Sequence, residues 1–483
     1  MNSNTDRLRT GEAEQLDVLI IGAGLSGIAT ACHLERSLPH TRYAVLEARP
    51  DTGGTWDLFR YPGVRSDSDM FTLGYSFRPW RGRSAVADGG SVLNYLRETA
   101  EEYGVSSRIR LGHRVFSASW SGERARWLVR VRLEDDEELV ISCGFLCLNT
   151  GYYDYEQPHL PEFPGRERFT GRLVHPQLWP DDLSWAGQDV VVIGSGATAV
   201  SMVPALAPAA RRVIMLQRSP GYLISLPARI PWTGRRPKLE RLRSATVTSL
   251  FWHLCRLAPR SSARWLIGRV RRLLPPGYPV HEHFTPRYRP WDQRLCLVPD
   301  ADLFTALASG DAEVVTGTVD TLTERGVRLT DGRELPATLI VAATGLRLKL
   351  LGGIALDLDG EPVDPGSTVM YKGSMLSGVP NLSVTVGYPN ASWTLKAELT
   401  ARFVVRVLRH RRRCGYRVAV ASPPPSPQRL PLMPLTSGYL LRSARSVPRQ
   451  GGRWPWRLYH SFWIDTVLVR GGRVNGEGLT FRR

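Results

Sequence analysis

Two short glycine-rich segments have the spacing that lets a polypeptide backbone wrap a pyrophosphate. The first, Gly22-Ala23-Gly24-Leu25-Ser26-Gly27, follows an apolar run at residues 17–21 and precedes a helical pattern. The first glycine permits a tight turn, the second allows close approach of phosphates, and the third lets the helix pack on the strand. The helix N-terminus adds free N–H groups and a positive dipole end. We therefore predict a dinucleotide site at Gly22, Gly24, Ser26 and Gly27.

The next predicted strand supplies an acidic residue at a matching distance. Tyr43-Ala44-Val45-Leu46 leads into Glu47, which lies 20 residues after Gly27 (47 − 27). A carboxylate at that point accepts hydrogen bonds from the adenosine ribose hydroxyls. The following Gly53-Gly54-Thr55-Trp56-Asp57 resembles the FAD site of flavin monooxygenases, so we assign FAD to this first site. A structural glycine turn with a surface glutamate is the alternative.

The same strand–turn–helix pattern returns in the middle of the chain. The apolar run at residues 189–193 leads into Gly194-Ser195-Gly196-Ala197-Thr198-Ala199, where Ala199 takes the place of the third glycine. The next strand, residues 212–216, ends in Gln217-Arg218-Ser219 without an acid. A carboxylate would repel the 2′-phosphate of NADP, whereas an arginine pairs with it. We assign NADPH to this second site; a surface arginine without a ligand is the alternative for Arg218. The predicted contacts are Gly194, Ser195, Gly196, Ala197, Thr198, Ala199, Val200, Arg218 and Ser219.

A third motif lies between the two turns. Residues 169–180 match F-x-G-x-x-x-H-x-x-x-W-P, and the fixed positions are Phe169, Gly171, His175, Trp179 and Pro180. This pattern resembles the fingerprint of Baeyer–Villiger monooxygenases, whereas N- and S-oxidising flavin monooxygenases usually carry tyrosine or phenylalanine at the tryptophan position. The resemblance implies that His175 is a linker residue that governs domain movement and not a proton carrier. A purely structural histidine is the alternative.

The resemblance extends over most of the chain. Residues 55–70, 284–300 and 387–396 are similar to the subgroup that contains the mycobacterial ethionamide-activating monooxygenase. It implies that Arg65, Ser66 and Asp67 approach the nicotinamide end of NADP. It also implies a set of residues that line FAD: Gly22, Gly24, Ser26, Glu47, Thr55, Trp56, Asp57, Leu58, Asp67 and Val115.

The resemblance also implies a catalytic pair. Arg294 lies where the family keeps its active-site arginine, and Asp67 is expected to hold it in place; a surface ion pair is the alternative. The implied reaction is reduction of FAD by NADPH, formation of a C4a-peroxyflavin with O₂, and insertion of one oxygen atom next to a ketone carbonyl. The flavin supplies this chemistry and the protein supplies orientation and charge.

Two other functions stay open. The first is N- or S-oxidation of a sulfide or thioamide on the same scaffold, against which Trp179 argues. The second is a membrane-associated flavoprotein that binds nucleotides as a sensor.

Composition excludes several other classes of protein. The formal net charge is +18, but the arginines are spread along the chain without a nucleic-acid-binding motif, so we expect no nucleic-acid partner. The six cysteines form no C-x-x-C pair and no metal-ligand spacing, and the C-x₄-C pair of disulfide reductases is missing. We therefore expect no metal and a reducing, cytoplasmic location. The N-terminus lacks the pattern of a secretory signal, and no run of about 18 apolar residues predicts a membrane span.

These motifs predict an α/β protein with two Rossmann-like dinucleotide-binding domains. We expect a discontinuous FAD domain at residues 1–150 and 335–483, with an NADPH domain inserted at residues 151–334. The apolar run at residues 339–342 is predicted to return the chain to the FAD sheet. Residues 222–290 interrupt the strand–helix rhythm and predict a helical insert. This insert forms either a wall of the substrate pocket, which we favour, or a basic amphipathic surface that touches a membrane peripherally.

Overall fold

The apolar run before the first glycine turn becomes the central strand of a parallel sheet. The computed structural model describes residues 13–229, 236–423 and 428–483. Its first parallel sheet has the order β23-β8-β2-β3-β4. Every residue of the central strand is buried, as a parallel strand covered on both faces requires. The strands are β2 (Val18–Ile21), β3 (Tyr43–Leu46), β4 (Ile109–Arg110), β8 (Leu146–Leu148) and β23 (Leu382–Val384).

The second glycine turn follows the central strand of another parallel sheet. This sheet has five strands in the order β14-β11-β10-β18-β9. The strands are β9 (Arg172–Val174), β10 (Asp189–Ile193), β11 (Arg212–Gln217), β14 (Ala312–Thr316) and β18 (Leu339–Ala342). Both sheets therefore confirm the predicted α/β class, with one nucleotide-type turn on each.

One strand lies in a different sheet from the one that the sequence predicts. Residues 339–342 do form a buried strand, but it pairs in parallel with β10 and β9 of the second sheet, where Val190 is opposite Leu339. The prediction that this strand returns to the first sheet is therefore wrong. The strand that does return is β23, about 40 residues later, which pairs with β8. Buried parallel strands look alike in sequence, so pattern alone does not identify the partner.

The remaining strands form one larger sheet and several smaller ones around these two. A six-stranded sheet in the order β1-β7-β6-β5-β19-β20 packs beside the first, and a three-stranded antiparallel sheet, β15-β16-β17, belongs to the second half. Four two-stranded ribbons complete the set. The strands are β1 (Glu14–Leu16), β5 (Arg114–Ser121), β6 (Arg126–Arg132), β7 (Glu138–Cys143), β12 (Leu223–Leu226), β13 (Cys296–Pro299), β15 (Val319–Thr323), β16 (Gly326–Leu329), β17 (Glu334–Pro336), β19 (Ala355–Leu358), β20 (Glu361–Pro362), β21 (Met370–Tyr371), β22 (Met375–Leu376), β24 (Val418–Ala421), β25 (Leu430–Pro431), β26 (Arg449–Gln450) and β27 (Leu479–Arg482).

Helices cover both sheets. The helix after the first turn packs against the long helix α10, and both contribute to one buried cluster with the first sheet. The helices are α1 (Leu25–Ser37), α2 (Thr55–Leu58), α3 (Met70–Leu73), α4 (Gly89–Glu102), α5 (Ala197–Leu206), α6 (Pro237–Leu257), α7 (Pro259–Leu273), α8 (Val280–His283), α9 (Asp302–Ser309), α10 (Trp393–Cys414), α11 (Gly438–Arg442) and α12 (Phe462–Gly471).

The predicted insert is helical in its larger part. It begins with strand β12, which pairs with β13, and its helices α6, α7 and α8 start only at Pro237; the part at residues 230–235 lies outside the described residues. Over the described ranges, no helix combines the length and the apolar character that crossing a bilayer needs. Nor do the described residues bring three or more His, Cys, Asp or Glu side chains together in a way that could hold a metal ion.

Candidate functional site

The carboxyl ends of β2, β3 and β8 open onto a cavity of about 380 Å³. Ligands of open α/β sheets bind at this edge, in the crevice beyond the strands. The N-terminus of α5, from the second sheet, lines the same cavity, as do the residues 149–156 that follow β8. The fold thus brings the first glycine turn and the start of the helix that follows the second turn to one shared space, whereas Gly194, Ser195 and Gly196 are not among the residues that line it.

The first turn has the geometry that its sequence predicts. Gly22 has φ +99°, and a Cβ at Gly27 would lie 1.8 Å from the carbonyl oxygen of Gly22. Helix α1 then starts at Leu25 with Gly24 as its N-cap and without a capping side chain. Its first N–H groups are therefore available to an anionic ligand. Gly22, Gly24 and Ser26 line the cavity, whereas Gly27 acts through packing alone.

Glu47 lies at the end of β3 and lines the cavity while only 7% exposed. Its carboxylate accepts hydrogen bonds from the N–H groups of Ala23 at 2.7 Å and Arg49 at 3.0 Å. Burial raises the pKa of Glu47 above its ordinary value of 4.5, against the lowering effect of these hydrogen bonds. The predicted ribose acceptor is thus fixed beside the glycine turn.

The segment after the glycine pair divides into cavity-lining and structural residues. Thr55 and Trp56 line the cavity, as does Val115 of β5, and the Thr55 hydroxyl lies 2.9 Å from the Tyr155 hydroxyl. Asp57 is buried and forms an ion pair with Arg49 at 2.5 Å. Neither Asp57 nor Leu58 is among the residues that line this cavity. Asp57 therefore holds the loop through its arginine partner.

An asparagine that the sequence analysis missed faces the same cavity. Asn149 is 5% exposed, and neither polar atom of its side chain has a hydrogen-bond partner among the described residues. Buried amides without partners are rare because each costs free energy. A nucleotide in this cavity would supply the missing partners, so the residues present fit a bound dinucleotide. The available signal was a polar residue directly after the apolar strand β8.

The second turn is more open. Gly194 has φ +144°, and a Cβ there would lie 2.3 Å from the Ala343 carbonyl oxygen, whereas a Cβ at Gly196 would meet nothing within 4 Å. Gly196 is the N-cap of α5, again without a capping side chain. Ala197 and Thr198 line the cavity, while Ala199 and Val200 are buried in the packing of α5.

The predicted phosphate residues lie beside this second turn. The hydroxyl of Ser195 donates a hydrogen bond to the carbonyl of Ser219 at 3.3 Å, which joins the turn to the end of β11. Arg218 and Ser219 are both exposed. These positions keep a cation next to the turn and within reach of solvent.

The predicted catalytic pair forms across a long sequence separation. Nη2 of Arg294 lies 3.3 Å from Oδ2 of Asp67, and each side chain is about one-third exposed at 33% and 36%. Asp67 raises the pKa of Arg294 above its ordinary value, outweighing burial, which lowers it. Arg294 is therefore a fixed cation in the cavity. Arg65 also lines the cavity and is paired with Asp302 of α9, while Ser66 lines it nearby.

Two phenols that the sequence analysis missed lie next to this pair. The hydroxyls of Tyr152 and Tyr153 are 2.9 Å apart, and the Tyr152 ring stacks on Trp393 with centroids 4.9 Å apart. Burial raises the pKa of both phenols, so both stay protonated at neutral pH. Their only sequence signal is their place after the strand β8.

The fingerprint residues form a structural joint beside the cavity. Phe169 is buried, and a Cβ at Gly171 would lie 2.3 Å from the Thr338 carbonyl oxygen. Nδ1 of His175 accepts a hydrogen bond from the Gln177 N–H, and Nε2 lies 3.1 Å from the Gly345 carbonyl oxygen. Trp179 packs edge-on against Trp185, directly before Pro180.

His175 has no free nitrogen for proton transfer. It is buried, burial lowers its pKa, and it is not among the residues that line the cavity. Its contact with the carbonyl of Gly345 links β9 to the segment that leaves β18. These contacts agree with the linker position that we expect, while its control of domain movement stays a prediction.

The insert does not line this cavity: none of the described residues in the range 222–290 contributes to its wall. It supports the wall from behind instead. Arg241 of α6 donates hydrogen bonds to the carbonyls of Phe71 and Thr72 in α3, the helix whose Leu73 lines the cavity. The prediction of a direct pocket wall is thus wrong for this cavity.

A glycine turn, the N-terminus of the helix after a second such turn and a fixed cation line one cavity, which is typical of a dinucleotide-dependent oxidoreductase. Comparisons with known proteins identify the family. An NAD(P)-binding Rossmann-like domain model matches residues 20–81, and a flavin-binding monooxygenase-like model matches residues 85–289. The chain is 48% identical to the FAD-containing monooxygenase EthA of Mycobacterium tuberculosis, over 97% of this chain and 98% of that protein. It is 47% identical to the putative FAD-containing monooxygenase MymA of the same species, over 94% of this chain and 95% of that protein.

Solved structures share the fold at low sequence identity. An oxidised steroid monooxygenase bound to NADP superimposes with a TM-score of 0.76 at 21% identity, over 97% of this chain and all of that one. An open structure of cyclohexanone monooxygenase superimposes with a TM-score of 0.77 at 17% identity, over 98% of this chain and all of that one. The chain therefore belongs to the flavin-binding monooxygenase-like family and is a flavoprotein oxidoreductase. The predicted family, enzyme class and pair of cofactors, FAD and NADPH, are confirmed.

Proposed function

We propose that this protein is an NADPH-dependent Baeyer–Villiger monooxygenase that inserts one oxygen atom from O₂ next to a ketone carbonyl. The observation that carries the proposal is the Arg294–Asp67 ion pair in the cavity that the first glycine turn and the N-terminus of α5 line. The fingerprint between the turns and the fold shared with cyclohexanone monooxygenase support it.

Each cofactor has its own set of proposed contacts. For FAD these are the first glycine turn, the ribose acid and the wall beyond it, with Asn149 added from the structure. NADPH takes the second turn and Arg218, with its nicotinamide end toward Arg65, Ser66 and Asp67. We propose residues 1–150 and the part of the chain after β18 as the FAD domain, with the NADPH domain between them. The FAD contacts are Gly22, Gly24, Ser26, Glu47, Thr55, Trp56 and Val115.

The flavin, once reduced by NADPH, supplies the activated oxygen. The protein's own contribution is a fixed positive charge, because Arg294 stays protonated at every working pH. Its guanidinium would stabilise negative charge that develops on the carbonyl oxygen of a bound ketone, and Asp67 keeps it oriented. A fixed donor of this kind contributes about 3–4 kcal/mol to transition-state stabilisation. The stack of Tyr152 on Trp393 excludes water from one wall.

Oxidation of sulfur or nitrogen is the second candidate, and the phenol pair favours it. Tyr152 and Tyr153 place O–H donors beside the arginine, and an activated oxygen that keeps its proton is electrophilic toward sulfides, thioamides or amines. The two functions thus differ in which group, guanidinium or phenol, controls the protonation of the oxidant.

The test measures products and flavin reduction separately. Holoenzyme is incubated with NADPH, ¹⁸O₂ and panels of ketones and sulfides, and products are identified by mass spectrometry. We expect labelled esters from ketones, and Arg294→Ala should lower ester formation by roughly 10²–10³-fold while stopped-flow flavin reduction by NADPH stays nearly unchanged. Arg325→Ala, an exposed arginine elsewhere, is the control. Labelled sulfoxides without any ester would replace the proposal with the second candidate.

A further inference from the structure

The two long helices of the insert carry a row of large apolar side chains on the protein surface. Leu250 is 59% exposed and Leu257 is 82% exposed. At 100° per residue, the exposed aliphatic residues of α6 fall within an arc of about 140°. We call them, with the exposed apolar residues of α7, the outer face; it consists of Leu239, Leu242, Val247, Leu250, Leu254, Leu257, Trp265 and Leu273.

The opposite side of α6 is anchored, which fixes the direction of the outer face. Arg241, Ala245 and Cys255 are buried on that side. Nη2 of Arg241 lies 2.6 Å from a carboxylate oxygen of Glu398 in α10, and its other contacts are with α3. Ring contact between Phe251 and Trp265, with centroids 6.0 Å apart, joins α6 to α7. The exposed row is therefore a rigid feature of the folded protein.

A neighbouring helix, which packs against the buried side of α6, also carries exposed apolar residues. Ala245 of α6 packs in one small cluster with Phe462 and Trp463 of α12. On α12, Ile464 and Val467 are exposed. A row of exposed apolar side chains such as that on α6 marks a site of interaction with a protein or membrane partner.

The charge of the insert indicates which kind of partner contacts the outer face. Residues 237–273 contain nine arginine or lysine residues and one glutamate. Among the described residues, the exposed Arg243, Arg260, Arg264, Arg271 and Arg272 form no ion pair. Apolar side chains interleaved with unpaired arginines match an interfacial helix, whose arginine stems cover lipid while the guanidinium groups reach the phosphates.

We propose that the outer face rests in the interface of an anionic lipid membrane, parallel to the surface and without crossing it. A second copy of the chain fits this face less well, because a twofold interface would bring the same arginines together. A nucleic acid would use the arginines but would leave the leucines without an apolar partner. An anionic lipid membrane provides phosphates for the arginines and an apolar phase for the leucines.

Vesicle flotation of the full-length holoenzyme tests this proposal. The protein should float with vesicles of phosphatidylcholine and phosphatidylglycerol, and at least about tenfold less with phosphatidylcholine alone. Raising NaCl from about 0.1 M to about 1 M shortens the screening length from roughly 10 to 3 Å and should release most of it. Equal binding to both vesicle types, or no binding to either, would overturn the proposal.

Matched variants locate the contact. Leu250→Ser with Leu254→Ser and Leu257→Ser should weaken vesicle binding by roughly tenfold or more, since interfacial binding scales with buried apolar area. Arg264→Gln with Arg271→Gln should weaken it by roughly thirtyfold, at about fivefold per arginine. The controls are Leu160→Ser and the pair Arg166→Gln with Arg325→Gln, exposed positions elsewhere, which should bind as the parent protein does.

Flavin content and thermal melting verify that each variant folds, and light scattering gives its oligomeric state. Vesicle binding that all folded outer-face variants retain would overturn the proposal. A second result would also overturn it: the parent protein is an oligomer that does not bind vesicles, and the leucine variant is a monomer. The outer face would then join copies of the chain.

Discussion

The two glycine turns have similar sequences and very different surroundings. At the first turn, a Cβ on its second glycine, Gly24, would lie 3.5 Å from the Gly54 Cα, and the proposed ribose acid Glu47 is 7% exposed. At the second turn, a Cβ on the equivalent glycine, Gly196, would meet no atom of the described residues within 4 Å, and Arg218 is exposed. An enclosed cleft suits a ligand that stays bound through turnover, whereas an open one suits a ligand that must exchange. This difference matches FAD at the first turn and NADPH at the second.

The third position of each turn provides the largest expected contrast. Gly27→Ala would place a methyl group 1.8 Å from the Gly22 carbonyl oxygen, a clash that costs roughly 3 kcal/mol or more. We expect a flavin affinity at least about 100-fold lower, measured by absorbance after gel filtration. The matched change Ala199→Gly in the second turn should keep flavin content and lower stability by about 1 kcal/mol. Full flavin content in Gly27→Ala would contradict the packing role.

The arginine at the second site should decide between nicotinamide cofactors. Removing its pairing with the 2′-phosphate costs about 1.5–3 kcal/mol, or roughly 10–100-fold. We therefore expect Arg218→Ala to raise KM for NADPH by that factor and to leave KM for NADH nearly constant. Arg212→Ala is the control, because Arg212 begins the strand β11 that ends just before Arg218 and is paired with Glu313. Equal changes for both cofactors in Arg218→Ala would disprove the phosphate assignment.

The acid at the first site should make flavin affinity depend on pH. The Glu47 side chain can accept hydrogen bonds from the ribose with both oxygens only when it is ionised. Burial raises its pKa above 4.5. As the pH falls through that raised pKa, FAD affinity should decline by about tenfold, while the fold without flavin becomes more stable because the buried carboxyl takes up its proton. Glu47→Gln should show the weaker affinity at all pH values. FAD affinity is measured at each pH by titration of flavin fluorescence. An affinity of the parent protein that does not change with pH would show that this assignment is wrong.

The smallest effect is expected at Asn149. Asn149→Ala removes amide atoms that have no hydrogen-bond partner among the described residues, so flavin affinity should fall by roughly 2–10-fold while the stability of the flavin-free protein stays constant or rises. Asn381 is the matched control, because its amide donates to the carbonyls of Gly144 and Arg417. Asn381→Ala should lower stability by about 1–3 kcal/mol. Similar stability losses in both variants, measured by denaturant unfolding, would contradict a ligand-facing Asn149.

Local pattern predicted most of the structure near the turns. The strands at Tyr43–Leu46 and Asp189–Ile193 match the predicted bounds, and both helices start within the glycine motifs. These elements are encoded in short contiguous stretches where hydrophobicity and glycine spacing act together. Prediction failed for β18 and for the pocket wall, since both depend on which distant segment packs beside them.

The sequence by itself determined that the chain binds two dinucleotides, because strand, turn, helix and ribose residue lie within a few tens of neighbouring positions. The family resemblance implied that Asp67 and Arg294, 227 residues apart (294 − 67), form a pair, but only the tertiary structure gave their contact at 3.3 Å and their partial exposure. It also placed the unpartnered Asn149 and the phenols of Tyr152 and Tyr153 in the same cavity. Contacts of this kind depend on how separately encoded elements pack together, and burial and close approach are properties of that packing.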